Sequence, residues 1–304
     1  MNPRPILASL LLILSFACGS AAPLRVLYFT KSSGWEHDVI KHVNGAPSFS
    51  EKVLATLGAK EGIDFTFSKD GSLFTPAWLA QFDVVMFYTS GDLFSLGTDG
   101  QPVMTPAGRQ ALFDFVAAGK GFVGLHSASD SFHTGEHGGG NPTKRAARYQ
   151  TYGAEADPYV KFMGGEFIRH DAQQVAVATV VDPKFPGFEQ VGGELKIQEE
   201  WYTLKEFASD DHVLLVLQTG GMTGPDYQRP PYPLAWAHPF GQGRVAYTAL
   251  GHREDVWTSA AYQSMLTGLI RWAAGRVTAD VTPNLAHAAP GAAKIQARPA
   301  EVKE

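Results

Sequence analysis

Cysteine is all but missing from this chain of 304 residues, which holds only Cys18. That residue sits in an apolar N-terminal leader. The rest of the chain can therefore form no disulfide and offers neither a thiol nucleophile nor a thiolate ligand for zinc. Positive charge is also scarce: 25 Lys and Arg stand against 30 Asp and Glu, a net charge of −5. With no cationic excess to neutralise phosphates, nucleic acid is not an expected partner. Long apolar runs are lacking too. The leader's stretch from Ile6 to Phe16 falls short of the ~20 residues that span a bilayer, and it has no polar face that would make it a buried amphipathic helix.

What the leader does have is Arg4 ahead of that run and the small residues Ala17, Gly19, Ser20, Ala21 and Ala22 after it. This is the order of a signal peptide, expected over residues 1–22, with no transmembrane span left in the mature chain. The protein is then exported, to the periplasm or beyond. Cys18 offers a second outcome, a lipid anchor, although Leu14 lies one position early for a good lipidation site.

Apolar material is plentiful at 44%, enough for one sizeable core. From Leu24 onward, short β-rich runs alternate with stretches of helical spacing. Strands are expected at Leu24–Thr30, Asp64–Ser68, Phe82–Thr89 and Phe122–His126, with helices starting near Phe49 and Thr105 between them. Alternation of this kind builds βαβ units and a mostly parallel sheet covered on both faces. Ligands of such sheets gather beyond the carboxyl ends of the strands, here Thr30–His37, Thr89–Asp92 and His126–Asp130, all polar. Further strands are expected at Val175–Val181 and Val213–Leu217. A hairpin is expected around Gly241, and an amphipathic helix over Ala260–Ala274 closes the domain at about residue 276. Residues 277–304, rich in Ala and Pro with scattered charge, read as a disordered tail.

The sequence Gly124-Leu125-His126-Ser127-Ala128 closes a strand and opens the next turn. Small residues two before and two after the centre permit a sharp strand-to-helix elbow that exposes the middle side chain. Here that side chain is an imidazole, suited to base, acid or ligand work but not to acyl transfer. A structural histidine bonded to loop backbone fits the same pattern. His133 and His137 have the i, i+4 spacing of a helical zinc pair, but the glycines at 138–140 argue against a helix there.

Several ordered motifs then carry a family resemblance across Leu24 to Gly275. They include Lys31-Ser32-Ser33-Gly34-Trp35-Glu36-His37-Asp38, the elbow run ending at Asp130, and Gly164-Gly165-Glu166-Phe167 with His170. Glu199-Glu200-Trp201-Tyr202, Pro233-Leu234-Ala235-Trp236, Gly241-Gln242-Gly243-Arg244 and Leu250-Gly251-His252 follow. The set resembles the ThuA family, which is associated with trehalose and related glycosides through 3-keto-sugars. The resemblance implies a flavodoxin-like three-layer sandwich of the class I glutamine amidotransferase type, with the elbow cysteine replaced and amidotransferase activity excluded. It departs from the family's usual pattern at Trp35-Glu36 and in the long loop after Asp130.

The same resemblance gathers His37, His126, Asp130, His170, Glu200 and His252 at one end of the sheet. Expected roles are catalysis for His126 and Glu200, substrate binding for His37, Asp130 and Trp201, and metal ligation for His126, His170 and His252. One divalent ion such as zinc is the cofactor those ligand types suit. Cleavage of a 3-keto-glycoside, by a lyase or hydrolase route, is one function. A carbohydrate-binding accessory protein that uses the same cleft without chemistry is the alternative.

Overall fold

The computed structural model describes residues 22–135 and 147–298. The leader with Cys18, as well as His137 and the three glycines after it, lie outside the described residues. The strands are β1 (Leu24–Phe29), β2 (Ile63–Ser68), β3 (Val84–Phe87), β4 (Gly121–Leu125), β5 (Glu166–Arg169), β6 (Gln174–Val180), β7 (Glu194–Glu199), β8 (Thr203–Lys205), β9 (His212–Gln218), β10 (Tyr232–Phe240) and β11 (Gly243–Thr248). The helices are α1 (Phe49–Glu61), α2 (Pro76–Leu79), α3 (Pro106–Ala117), α4 (Pro158–Met163), α5 (Glu254–Thr258), α6 (Ala260–Ala273) and α7 (Leu285–Ala288). None of the described helices is long and apolar enough to cross a membrane.

Local sequence explains where the longer helices begin. Ser48 and Glu51 form a reciprocal capping box at the start of α1, and Gly62 ends it in the left-handed conformation. Thr105 caps α3, with Pro106 in its first turn. The five-residue strand β4 is buried throughout, as expected of a central strand covered on both faces.

Nine strands form one sheet in the order β2-β1-β3-β4-β11-β10-β9-β6-β7, and β5 pairs with β8 separately. The first five are joined by parallel pairings and the rest by antiparallel ones. Only β10 and β6 run against the others, so seven of the nine strands share a direction. The expected hairpin is β10–β11. The sequence pattern does not announce β5, β7 and β8: two are short, and β7 alternates exposed and half-buried residues at the sheet's edge.

The sheet cannot be flat. Five strand spacings separate β4 from β7, or ~24 Å at the usual ~4.8 Å between neighbours. Yet His126, just after β4, lies 3.3 Å from Glu200, just after β7. The sheet therefore curls back on itself. Register shifts where β10 meets β9, around Ala235, supply local bends of the kind bulges introduce.

The segment after Arg276 departs from the expected disordered tail over its described part, 277–298. The Asn284 side chain accepts from Val213 N at 2.6 Å and donates to Val213 O at 3.1 Å, so it pairs with β9 as a short strand would. Further along, the buried Arg229 guanidinium donates to Ala292 O and to Gln296 Oε1. The Ala- and Pro-rich composition misled here because distant partners hold the segment down: β9 and Arg229 by hydrogen bonds, and the core by the packing of Val277, Val281, Leu285, Ala289 and Ala292. Deleting residues 277–304 should strip Arg229 of two acceptors and lower the unfolding free energy by roughly 3 kcal/mol. Urea denaturation of the otherwise intact protein would check this, and an unchanged midpoint would show the segment to be dispensable.

Candidate functional site

The site is built from the elbow outward. After β4 the chain turns at His126, which adopts φ +42°, a left-handed value that a non-glycine residue holds only under constraint. The constraints are visible. A Cβ at Gly124 would fall 2.8 Å from Met163 Sδ and 3.0 Å from the Tyr247 ring, so a larger residue would have to displace the methionine end. Tyr247 Oη donates to His126 O at 2.7 Å. The imidazole is fully buried. Its Nδ1 faces Ala249 O at 2.8 Å; a carbonyl only accepts, so Nδ1 carries the proton and Nε2 is left bare towards Glu200.

Glu200 is the hub. Its Oε2 lies 3.3 Å from His126 Nε2, 3.0 Å from His252 Nδ1 and 3.7 Å from His37 Nε2, while Oε1 lies 3.4 Å from His170 Nε2. Glu199 braces the two loops that meet here. One of its oxygens accepts from Glu200 N at 2.8 Å and the other from Gly251 N at 3.0 Å. Tyr202 Oη lies 3.2 Å from His37 Nε2, and its ring stands 4.0 Å from that of His126. At the rim, Arg253 Nη1 donates to Gln173 Oε1, which leaves the Gln173 amide nitrogen 2.9 Å from His252 Nε2. Either a charged His252 or an ion on its Nδ1 requires that amide to turn round, so that its oxygen accepts from Nε2–H.

Charge balance within this group is unusual. Burial pushes His126 down to about 4 and lowers His37 as well. Burial also opposes the charge on Glu200, but the imidazoles of His126, His252 and His37 packed against it outweigh that and hold it far below the ordinary carboxylate range. His252 is raised, the pull of Glu200 exceeding the effect of its own burial. Glu199 is pushed up to about 7 by burial. An ionised carboxylate thus faces two imidazoles that burial keeps neutral, and the cluster is short of positive charge.

A metal ion would supply it. His37, His126, Glu200 and His252 each offer a ligand atom, and these atoms lie within 4.8 Å of one another. Tetrahedral zinc with bonds of about 2.0–2.1 Å sets its ligands ~3.3 Å apart, close to the 3.0, 3.3 and 3.7 Å measured from Oε2. The Nδ1 atoms of His37 and His252 are buried without an aligned hydrogen-bond partner among the described residues. Three imidazoles and one carboxylate fit a borderline cation such as zinc.

The family model described as trehalose utilisation, ThuA, matches residues 25–273. The chain belongs to the ThuA family. A crystal structure of a ThuA-like protein from Bacteroides uniformis is similar in fold, with 19% identity, a TM-score of 0.60, and 85% of this chain and 95% of that one covered. A second ThuA-like protein, from Parabacteroides merdae, gives 18% identity, a TM-score of 0.54 and coverage of 93% and 99%. A cytoplasmic protein from Salmonella typhimurium gives 15%, 0.53, 82% and 99%. No curated protein matches the chain.

Within this ThuA fold, four of the residues singled out by sequence, His37, His126, Glu200 and His252, meet as a group. His37, expected to bind substrate, offers a ligand atom to that group alongside His126 and His252, which were expected to do so. His170, expected as a ligand, is instead at the rim with its side chain 38% exposed, facing the other oxygen of Glu200. His126 is fully buried, with Nε2 facing Glu200. Trp201 does not bind substrate by stacking: it is 1% exposed and donates through Nε1 to Gln174 O. Asp130 is taken up by Arg148 and His133. Sequence reasoning did not single out Tyr202, Gln173 or Glu166. Tyr202 was signalled only by its place in the Glu-Glu-Trp-Tyr run; Gln173 had no signal.

His133, whose candidate partner His137 lies outside the described residues, is paired with two carboxylates. Its Nε2 lies 2.6 Å from Asp130 Oδ1 and its Nδ1 2.9 Å from Glu166 Oε1, so both nitrogens donate and the ring is an imidazolium. Burial and Arg148 pull its pKa down, but the two carboxylates prevail and raise it. Asp130 and Glu166 are lowered, as Arg148 and His133 respectively outweigh burial. The raised histidine contributes its full stability below an unfolded value of ~6.5 and loses it as pH rises through the folded value. The lowered carboxylates contribute above ~4 and lose their share as pH falls further. The stability difference between the parent and His133→Gln should therefore peak between about pH 4.5 and 6.5, at roughly 3 kcal/mol. Denaturation series across pH would read it, and a flat difference would deny the imidazolium.

Proposed function

We propose that this ThuA-family chain is exported and cleaves 3-keto-glycosides, by a lyase or hydrolase route, with one divalent ion such as zinc as its cofactor. The observation that carries the reading is the convergence of His37, His126 and His252 on one oxygen of an ionised Glu200, with burial keeping two of the rings neutral. The parallel strand order β2-β1-β3-β4-β11 supports taking the core as a flavodoxin-like three-layer sandwich, with His126 at the elbow where the related amidotransferases have cysteine.

His37, His126, Glu200 and His252 would hold the ion, which when bound offers positive charge to a ketone oxygen as it becomes an enolate. A ketone at C3 acidifies the proton on C2. His170 is the imidazole of the group that a sugar can reach, and it is suited to accept that proton. Glu200, through Oε1, orients His170 and balances the charge the ring acquires. As the C2–H electron pair becomes a C1–C2 double bond, the C1–O bond breaks and the departing oxygen takes a proton. Glu200 itself is held too firmly ionised to serve as a strong base.

Elemental analysis of the purified protein should find about one equivalent of divalent metal. His126→Ala and His252→Ala should lose it, whereas His170→Ala should keep it. All three should turn over a 3-keto-glucoside at least ~100-fold more slowly than the parent. Parental turnover by His126→Ala would sink the proposal. Metal and glycoside binding without any product would favour the carbohydrate-binding alternative.

A further inference from the structure

His252 faces the cluster with Nδ1 and the rim with Nε2. The chain that carries it is held from several sides. Gly251 N donates to Glu199 at 3.0 Å, and Gly251 O accepts from Trp257 Nε1 at 2.7 Å and from Tyr88 Oη at 3.2 Å. The backbone opposite is anchored as well. Gln174 pairs through its side chain with N and O of Thr223, at 2.8 Å each, and its carbonyl accepts from Trp201 Nε1. Between these two fixed mounts stands the exposed Gln173 side chain, the part that can turn.

A guanidinium only donates. Arg253 Nη1 lies 2.9 Å from Gln173 Oε1, and that contact alone sets the amide: oxygen towards Arg253, nitrogen towards His252 Nε2 at 2.9 Å. Nε2 is then the accepting nitrogen, and the ring proton belongs on Nδ1, the side of Glu200. An ion on Nδ1 needs the other tautomer, with the proton on Nε2 and an acceptor to receive it. A half-turn of the Gln173 amide supplies that acceptor, but it brings NH2 up to the guanidinium, donor against donor. Arg253 must then let go of Gln173 and keep only Asp255, which it already grips at 2.9 and 3.0 Å.

We propose that Gln173 and Arg253 form a latch on the metal site. Gln173 orients His252 for the ion by accepting from Nε2–H, while Arg253, claiming the same oxygen, holds the site in its ion-free arrangement. This rests on the proposed divalent ion and adds a control on its loading. Gln173 is a positioning residue, since it acts through His252. Losing the acceptor behind a ligating histidine typically weakens metal affinity by about 10–100-fold.

The test is zinc titration of the full-length protein against a chromophoric chelator, in alkaline buffer where imidazoles are neutral. Gln173→Ala should weaken zinc binding at least ~10-fold. Arg253→Ala should tighten it about tenfold, partly by removing a positive charge. In the Gln173→Ala background the same Arg253→Ala change should tighten binding less than ~3-fold, because only the charge effect is left. Imidazole nitrogen shifts should place the His252 proton on Nδ1 in the zinc-free parent and on Nε2 once zinc is added. Equal tightening by Arg253→Ala in both backgrounds, or a zinc-free parent with the proton on Nε2, would overturn the latch while leaving the ion in place. A parent that binds no zinc or other divalent ion would overturn the cofactor reading and the latch together.

Discussion

A single carboxylate surrounded by imidazoles sets the terms for the whole cleft. Glu200 is largely buried, and an ionised carboxylate out of water needs compensating charge and hydrogen bonds. Four histidines crowd its two oxygens, at 3.0 to 3.7 Å. Only His252 is pulled towards its charged form by that contact, since the burial that desolvates Glu200 also discharges His126 and His37. The more firmly the pocket excludes water, the greater its deficit of positive charge, and the better it is suited to a cation.

Much of the surrounding architecture holds that group in place. The strained elbow fixes His126, with Tyr247 on its carbonyl and Ala249 on its ring. Glu199 ties the Glu200 loop to Gly251, beside His252, through two backbone amides. The curl of the sheet closes a gap that flat geometry would leave at ~24 Å. Next to the cluster, a second network of Asp130, His133, Glu166, Arg148 and Lys205 pairs its own charges. One network is balanced, and the other is short of positive charge.

Parts of this were legible in the sequence because they follow from short-range rules. Alternation of β-rich and helical stretches gave the first four parallel strands, a hairpin signature gave the fifth, small residues at 124 and 128 marked the elbow, and helical spacing marked α1 and α3. Strand ends that had to share an edge of the sheet pointed to His37 and His126. Where the sequence misled, the cause was consistently long-range. Trp201 looks like a sugar platform by type, but the packing of β6 and β7 buries it. His170 lies at the rim while His37 is buried in the cluster because ring direction depends on the loops after β5 and β1, and spacing does not reveal that. The Ala- and Pro-rich segment after residue 276 read as a disordered tail, although Val213 and Arg229 on the body of the domain hold its Asn284, Ala292 and Gln296.

By itself, then, the sequence determined the class of the fold, the family and the identity of the histidines, because local periodicity and ordered motifs survive without knowledge of contacts. Only the tertiary structure decided which rings share an oxygen of Glu200 and which are shut away from solvent. Those depend on how nine strands curl and how loops distant in the chain lean on one another, and no window of neighbouring residues encodes that.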